Sequence, residues 1–278
     1  MKYLIAQTLK LLFILCALIG SVVLGLILVL AYGLSQLPDV KILNGCLTTS
    51  MYQIELCPTA KNYVSLQDLP ESSIQAFLIS EDIQFYDHHG FQWDEVLRSV
   101  EENIETGKFK RGGSTISQQL VKNVFLTPDK SVKRKLMEAY LTWRLEDTFT
   151  KDVILERYLN VVEFGEDLYG IEKASRYYFN QSAKKLKFEQ AAFLAMLLPN
   201  PKTYNSSFKQ GQLTEFARSR ISDILSKAEA FKRVPESDLE AAKQRFNQVL
   251  DQDGSGFFQT NEAQDWILEQ TEQTEPPN

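Results

Sequence analysis

From Leu11 to Tyr32 the chain carries no charged residue, and this run constrains everything that follows it. At about 1.5 Å per residue, a helix of that length crosses the roughly 30 Å hydrocarbon core of a bilayer. Lys2 and Lys10 precede the run, and the first acid is Asp39. The positive-inside rule then keeps residues 1–10 in the cytoplasm, makes 11–32 a single transmembrane helix and sends the rest outside. A cleaved signal peptide has a shorter apolar stretch, about 7–15 residues, ending at a small-x-small site. A lipid-modified Cys16 is disfavoured by the bulky Leu15 before it.

Residues 33–64 read as an irregular connector with short extended pieces. They hold Cys46 and Cys57, which in an exported segment are expected to form a disulfide closing a short loop. His88 and His89 are the only histidines and lie far from the cysteines, so no zinc cluster can be assembled. The net charge of −6 is uneven: residues 236–278 hold ten acids and two bases, leaving the remainder slightly basic. That remainder suits an anionic surface or ligand; no nucleic-acid partner is expected.

Apolar residues at three- and four-residue spacing predict helices over 71–82, 91–105, 130–149, 151–164 and 187–198. They define a mainly α domain over 65–210. A small helical appendage, 211–270, follows with helices near 211–230 and 236–250, and 271–278 reads as a disordered tail.

Three stretches carry candidate chemistry. In "SEDIQFYDHHGFQ", Glu81 ends an apolar helix beside Asp82, Phe85, His88 and Gly90. A carboxylate so placed can act as a base, although an acidic helix end in solvent has the same pattern. In "RGGSTISQQLVKN", Thr115 and Gln118 have capping-box spacing. Ser114, Gln118 and Lys122 then share a face beside a glycine-lined helix N-terminus, a surface suited to phosphate, and Gln119 and Asn123 are close by. It is no P-loop, because G-x-x-x-x-G-K-[ST] is absent. In "KRKLMEAYLTWRLE", Arg134, Lys135 and Glu138 lie opposite Leu136, Ala139, Tyr140 and Trp143, as on a surface ion-pair helix.

Taken in order, E-D-x-x-F-x-x-H-x-G, G-G-S-T-I-S-Q-Q-x-x-K-N and R-K-x-x-E resemble three signatures of family 51 glycosyltransferases. "KDVILERYLNVVEFG" and "YGIEKASRYYF" with "EQAAFLAMLLPNP" extend the resemblance over residues 65–206, and Ser117 stands where the family usually has Thr. It is strongest toward the monofunctional peptidoglycan transglycosylases of the bacterial inner membrane, whose catalytic domain is periplasmic. The resemblance implies a lysozyme-like, mainly α fold on one membrane helix and a membrane-bound substrate, lipid II. It makes Glu81 the base that deprotonates the acceptor sugar. Lys122, Arg134 and Lys135, with Ser114, Thr115, Gln118, Gln119 and Asn123, would hold the donor's sugar and diphosphate. Asp82, Phe85 and His88 would shape the base's surroundings, and Tyr158 and Asn160 would support the fold. Glu138 matches the second glutamate; assisting the leaving group, orienting the cations and helping to bind magnesium all stay open. The partners implied are lipid II, the nascent glycan strand and separate transpeptidases, since S-x-x-K at 182–185 and 206–209 lacks K-T-G and S-D-N. A lysozyme-like hydrolase and a non-catalytic membrane scaffold are the rival functions.

The family does not explain "DQDGSGFFQTNE". It fits an EF-hand loop, with Asp251, Asp253, Ser255, Phe257, Gln259 and Glu262 as the expected calcium ligands. A lone loop of this kind predicts modest affinity.

Overall fold

The computed structural model describes residues 2–94, 97–98, 101, 113–129 and 131–258. It divides into two units, Met1–Asp39 and Val40–Asn278. The first is α1 (Lys2–Ser35), 34 residues long. It outruns the apolar stretch at both ends because no proline interrupts the chain before Leu37. Its apolar side chains, such as Phe13 and Val29, are exposed along the helix, as a helix long and apolar enough to cross a bilayer requires.

In the second unit α2 (Glu71–Glu81) starts after Pro70 and stops where Asp82 leaves helical geometry at ψ 76°. Then come α3 (Ile116–Phe125), α4 (Val132–Thr148), α5 (Lys151–Val161), α6 (Ile171–Phe179) and α7 (Phe188–Leu197). The last two helices among the described residues are α8 (Glu215–Ala230) and α9 (Glu236–Asp251). Every side chain of α7 but Gln190 is buried, the signature of a helix surrounded by others. It makes the most extensive helix contact in the fold with α2 and also touches α8 and α9. On the other side α3 packs on α4 and α5. Of the helix expected over 91–105, Phe91 and Gln92 are not helical, residues 93–94, 97–98 and 101 are, and the others fall outside the described residues.

Strand is confined to two short antiparallel pairs among the described residues: β1 (Leu47–Thr48) with β2 (Glu55–Leu56), and β3 (Glu163–Gly165) with β4 (Leu168–Tyr169). The first pair belongs to the expected connector, which from Val40 onward is part of the compact body. Val40, Leu43, Leu56 and Val64 supply the apolar contacts that hold it there. Polar bonds to α5 pin it further: Arg157 Nε donates to the Leu43 carbonyl at 3.0 Å, and the Glu156 carboxylate accepts from Leu66 N at 2.8 Å. At the hairpin tip, Ser50 N donates to Val124 O at 2.8 Å, against the end of α3. Cys46 and Cys57 are joined at the hairpin's base. Opening that loop by reduction is expected to cost about 3 kcal/mol in the chain-entropy model. Thermal melts with and without reductant check this, and a Cys46→Ser, Cys57→Ser double variant should melt like the reduced protein.

The expected appendage over 211–270 is in part core. Ala217 and Ile221 of α8 are fully buried against α2 and α7. Beyond α9, Phe257 and Phe258 turn back into a ring cluster with Phe179, Phe193 and Phe208. In the calcium-loop pattern, Gln259 and Glu262 lie outside the described residues. Of the remainder, Ser255 donates its hydroxyl to Gln252 O, and the Asp253 carbonyl accepts from Arg218.

Candidate active site

Glu81 is the last residue of α2, and the chain leaves the helix immediately after it. The departure is held by Asp82, whose buried carboxylate accepts from Ile116 N at 3.1 Å, Gln92 Nε2 at 2.6 Å and the His88 ring at 3.0 Å. One carboxylate therefore ties the end of α2 to the start of α3, where free N–H groups favour a negative partner. Phe85 is fully buried behind it and stacks edge-on against His88. Gly90 closes the turn at φ +83°, and a Cβ there would sit 2.9 Å from Thr142 Cγ2 on α4, so both conformation and space demand glycine.

Thr115 caps α3 through the capping box read in the sequence: its hydroxyl accepts from Gln118 N, and Gln118 Oε1 accepts from Thr115 N. Gln118 thus spends its carbonyl on the cap. Gln119 is the amide that reaches Glu81, with Nε2 donating to Oε2 of the carboxylate at 2.9 Å. Its other end accepts from the hydroxyl of buried Tyr158 at 3.1 Å. Tyr158, expected only to support the fold, therefore also fixes which way this amide points. Burial raises the proton affinity of Glu81, against the opposing pulls of Gln119 and Lys122. The Arg220 charge on α8 also reaches Glu81. No motif marked Arg220, because a position 139 residues downstream meets Glu81 only through the packing of α8 on α2.

One turn beyond Gln119, Lys122 feels the charges of Glu138, Arg134, Glu81 and Lys135. Burial lowers its pKa, and its ammonium makes no ion pair within 4 Å among the described residues. On α4, Glu138 is buried at 3% exposure and bonds to Lys135, with Arg134 at 4.0 Å. Arg134 Nε is buried with no hydrogen-bond partner among the described residues. The helix is therefore not a plain surface ion-pair helix: Glu138 lies on the same side as the fully buried Leu141 and Leu145. Its charged face points into the cleft, while Leu136 and Trp143 on the opposite face are exposed at 67% and 49%.

The structure thus gathers Glu81, Gln119, Lys122, Arg134 and Glu138 around one cleft, with Ser114 exposed at its edge. Other candidates are buried away from the surface. Phe85, Thr115, Asp82 and Asn123 are at most 3% exposed and present almost no surface to a ligand. Ser117 is buried too, and it donates to Glu146, which also holds Lys151. Asn160 bonds both backbone groups of Val64 and is structural, as expected.

A transglycosylase family profile matches residues 49–229. The chain is similar to a biosynthetic peptidoglycan transglycosylase of Acinetobacter baumannii, 48% identical over 147 residues, or 53% of this chain and 65% of that protein. Proteins of the same name from Acinetobacter baylyi and Dechloromonas aromatica are 45% identical over 150 residues and 50% identical over 131. These matches cover 54% of this chain and 67% of the first protein, and 47% and 57% for the second. The chain thus spans just under two thirds of the length of the Acinetobacter baumannii relative. The family profile covers more than half of the chain and contains every residue of the cleft described above, and the chain belongs to the transglycosylase family.

Proposed function

We propose that this chain polymerises lipid II into β-1,4-linked glycan and releases polyprenyl diphosphate. One observation carries the reading: a buried carboxylate, Glu81, shares a cleft with Lys122, whose ammonium makes no ion pair within 4 Å among the described residues, and with the Arg134, Lys135 and Glu138 cluster. A diphosphate leaving group needs its charge neutralised more than it needs a proton, so one base and several cations suffice. Glu81 takes the proton from the 4-hydroxyl of the acceptor GlcNAc. The freed oxygen attacks C1 of the donor MurNAc, the C1–O bond to the diphosphate breaks, and the configuration inverts from α to β. Lys122 and Arg134 face the departing phosphates, and Glu138 holds Lys135 and Arg134 in place.

A divalent ion fits this cluster poorly. Its one carboxylate is already engaged by Lys135 and Arg134, so no step is routed through a metal. A hydrolase of the lysozyme kind fits poorly for a related reason: it needs a second carboxyl free to act as acid, and the Glu138 carboxylate is engaged by Lys135 and Arg134. The orientation that suits the reaction is N-terminus inside, with the cleft on the outer face where lipid II is presented. Cross-linking of the product falls to separate transpeptidases.

The test is incubation of the purified full-length protein with lipid II. Polymer plus polyprenyl diphosphate supports the proposal, whereas release of reducing ends from mature glycan, with lipid II untouched, overturns it.

A further inference from the structure

Residues 230–258 lie beyond the family match at 49–229, yet they grip the segment that carries the base. Helix α8 ends in a tight reversal. Lys232 takes the left-handed conformation at φ +51°, Lys232 N donates to Glu229 O at 3.1 Å, and Arg233 N donates to Ala228 O at 3.2 Å. This paired bonding is the usual way to end a helix and turn the chain, and here it does so without glycine. Buried Val234 and the following Pro235 start α9 from a fixed point.

The reversal leaves one place for the Arg233 guanidinium. Nη2 donates to the carbonyl of Ile83 at 3.2 Å and lies 3.9 Å from Asp87 Oδ2. Ile83 is two residues past Glu81, in the non-helical turn that runs on to His88. The elements behind Arg233 are well held. Arg245 of α9 makes two bonds, at 2.7 and 3.0 Å, to Glu189, which is buried on α7. Phe257 and Phe258 lock the end of α9 into the aromatic cluster, each at 6% exposure. The anchor is therefore well held, and among the described residues its hydrogen bond to the turn after Glu81 comes from Arg233.

We infer that Arg233 is a positioning residue for Glu81: it fixes the turn that sets where the carboxylate points. The inference rests on Glu81 being the base. Arg233 and Asp87 are both well exposed, so their ion pair adds little to stability, and substitution tests placement rather than folding.

The experiment uses the full-length protein in the lipid II assay, with Arg233→Ala and Arg233→Lys beside wild type. Arg233→Ala should lower kcat about tenfold, since a small misplacement of a catalytic group is costly, while KM for lipid II stays unchanged. Its melting temperature should stay within about 2 °C of wild type. Arg233→Lys should recover part of the rate, because an ammonium can still donate to the Ile83 carbonyl. Turnover of Arg233→Ala within twofold of wild type overturns the inference, as does a rise in KM at constant kcat. Those results leave the transferase reading intact. A wild-type protein that makes no polymer refutes that reading, and the inference falls with it.

Discussion

Glu81→Gln is expected to make no detectable polymer while still binding the donor. General-base catalysis contributes about 10²–10⁴-fold, and glutamine cannot take a proton from the acceptor hydroxyl. The geometry of the turn should survive, because the new amide oxygen can still accept from Gln119 Nε2 as Glu81 Oε2 does at 2.9 Å. The variant should also be the more heat-stable protein at neutral pH. Burial holds the folded pKa of Glu81 above its ordinary value of 4.5. A carboxyl shifted in that direction stabilises the fold fully below its unfolded pKa and loses that contribution as pH rises through the folded one. Glutamine stays neutral throughout. Melting curves of the two proteins should therefore converge in acid and separate above about pH 5, with the variant melting higher. Near wild-type turnover would remove Glu81 from the chemistry. An unchanged difference in melting temperature across pH would remove the buried-charge argument.

Lys122→Ala should cost most of the affinity for the donor. An ammonium in a partly desolvated cleft that bonds a phosphate oxygen is worth about 1.5–3 kcal/mol, which is roughly 10- to 150-fold in binding. Unlike Lys135, which is paired with Glu138, Lys122 makes no ion pair within 4 Å among the described residues, although it feels the charges of Glu138 and Glu81. Folding should therefore be little affected. The loss should extend to phosphoglycolipid inhibitors of the moenomycin type, which the family resemblance places in the donor site. A second effect follows from the Lys122 charge, which pulls the Glu81 pKa down. Without it, Glu81 binds its proton more tightly, and the acidic limb of the remaining activity moves to higher pH. Donor and inhibitor affinities equal to wild type would place the phosphate site elsewhere.

The cleft was legible in the sequence wherever its geometry is local. The Thr115–Gln118 capping box, the end of α2 at Glu81 and the grouping of Arg134, Lys135 and Glu138 depend on residues three to five apart, and all three are found. Which face of α4 points inward was not legible. Helical periodicity separates two faces but does not say which one meets a neighbour, and here the inward face carries a carboxylate, Glu138, beside the fully buried Leu141 and Leu145. Glu138 is buried because Lys135 and Arg134 neutralise it, and Trp143 is exposed. Tyr158, Arg220 and Arg233 reach the catalytic segment across 77, 139 and 150 positions, far outside any motif window. The burial of Phe257 and Phe258 escaped notice for a similar reason. Their spacing matched a metal loop, while the rings that receive them lie on α6, on α7 and at Phe208.

The Arg233 bond to Ile83 also sets a schedule. A ribosome delivers Glu81 long before Arg233, so nascent chain can form α2 and still lack the group that fixes its last turn. Contacts this distant in sequence form late, after the closure entropy of a long loop has been met. A half-synthesised chain already displaying the base helix is consequently a poor catalyst. The full rate is expected only once α9 has emerged and docked, so the order of synthesis itself should hold back unfinished copies.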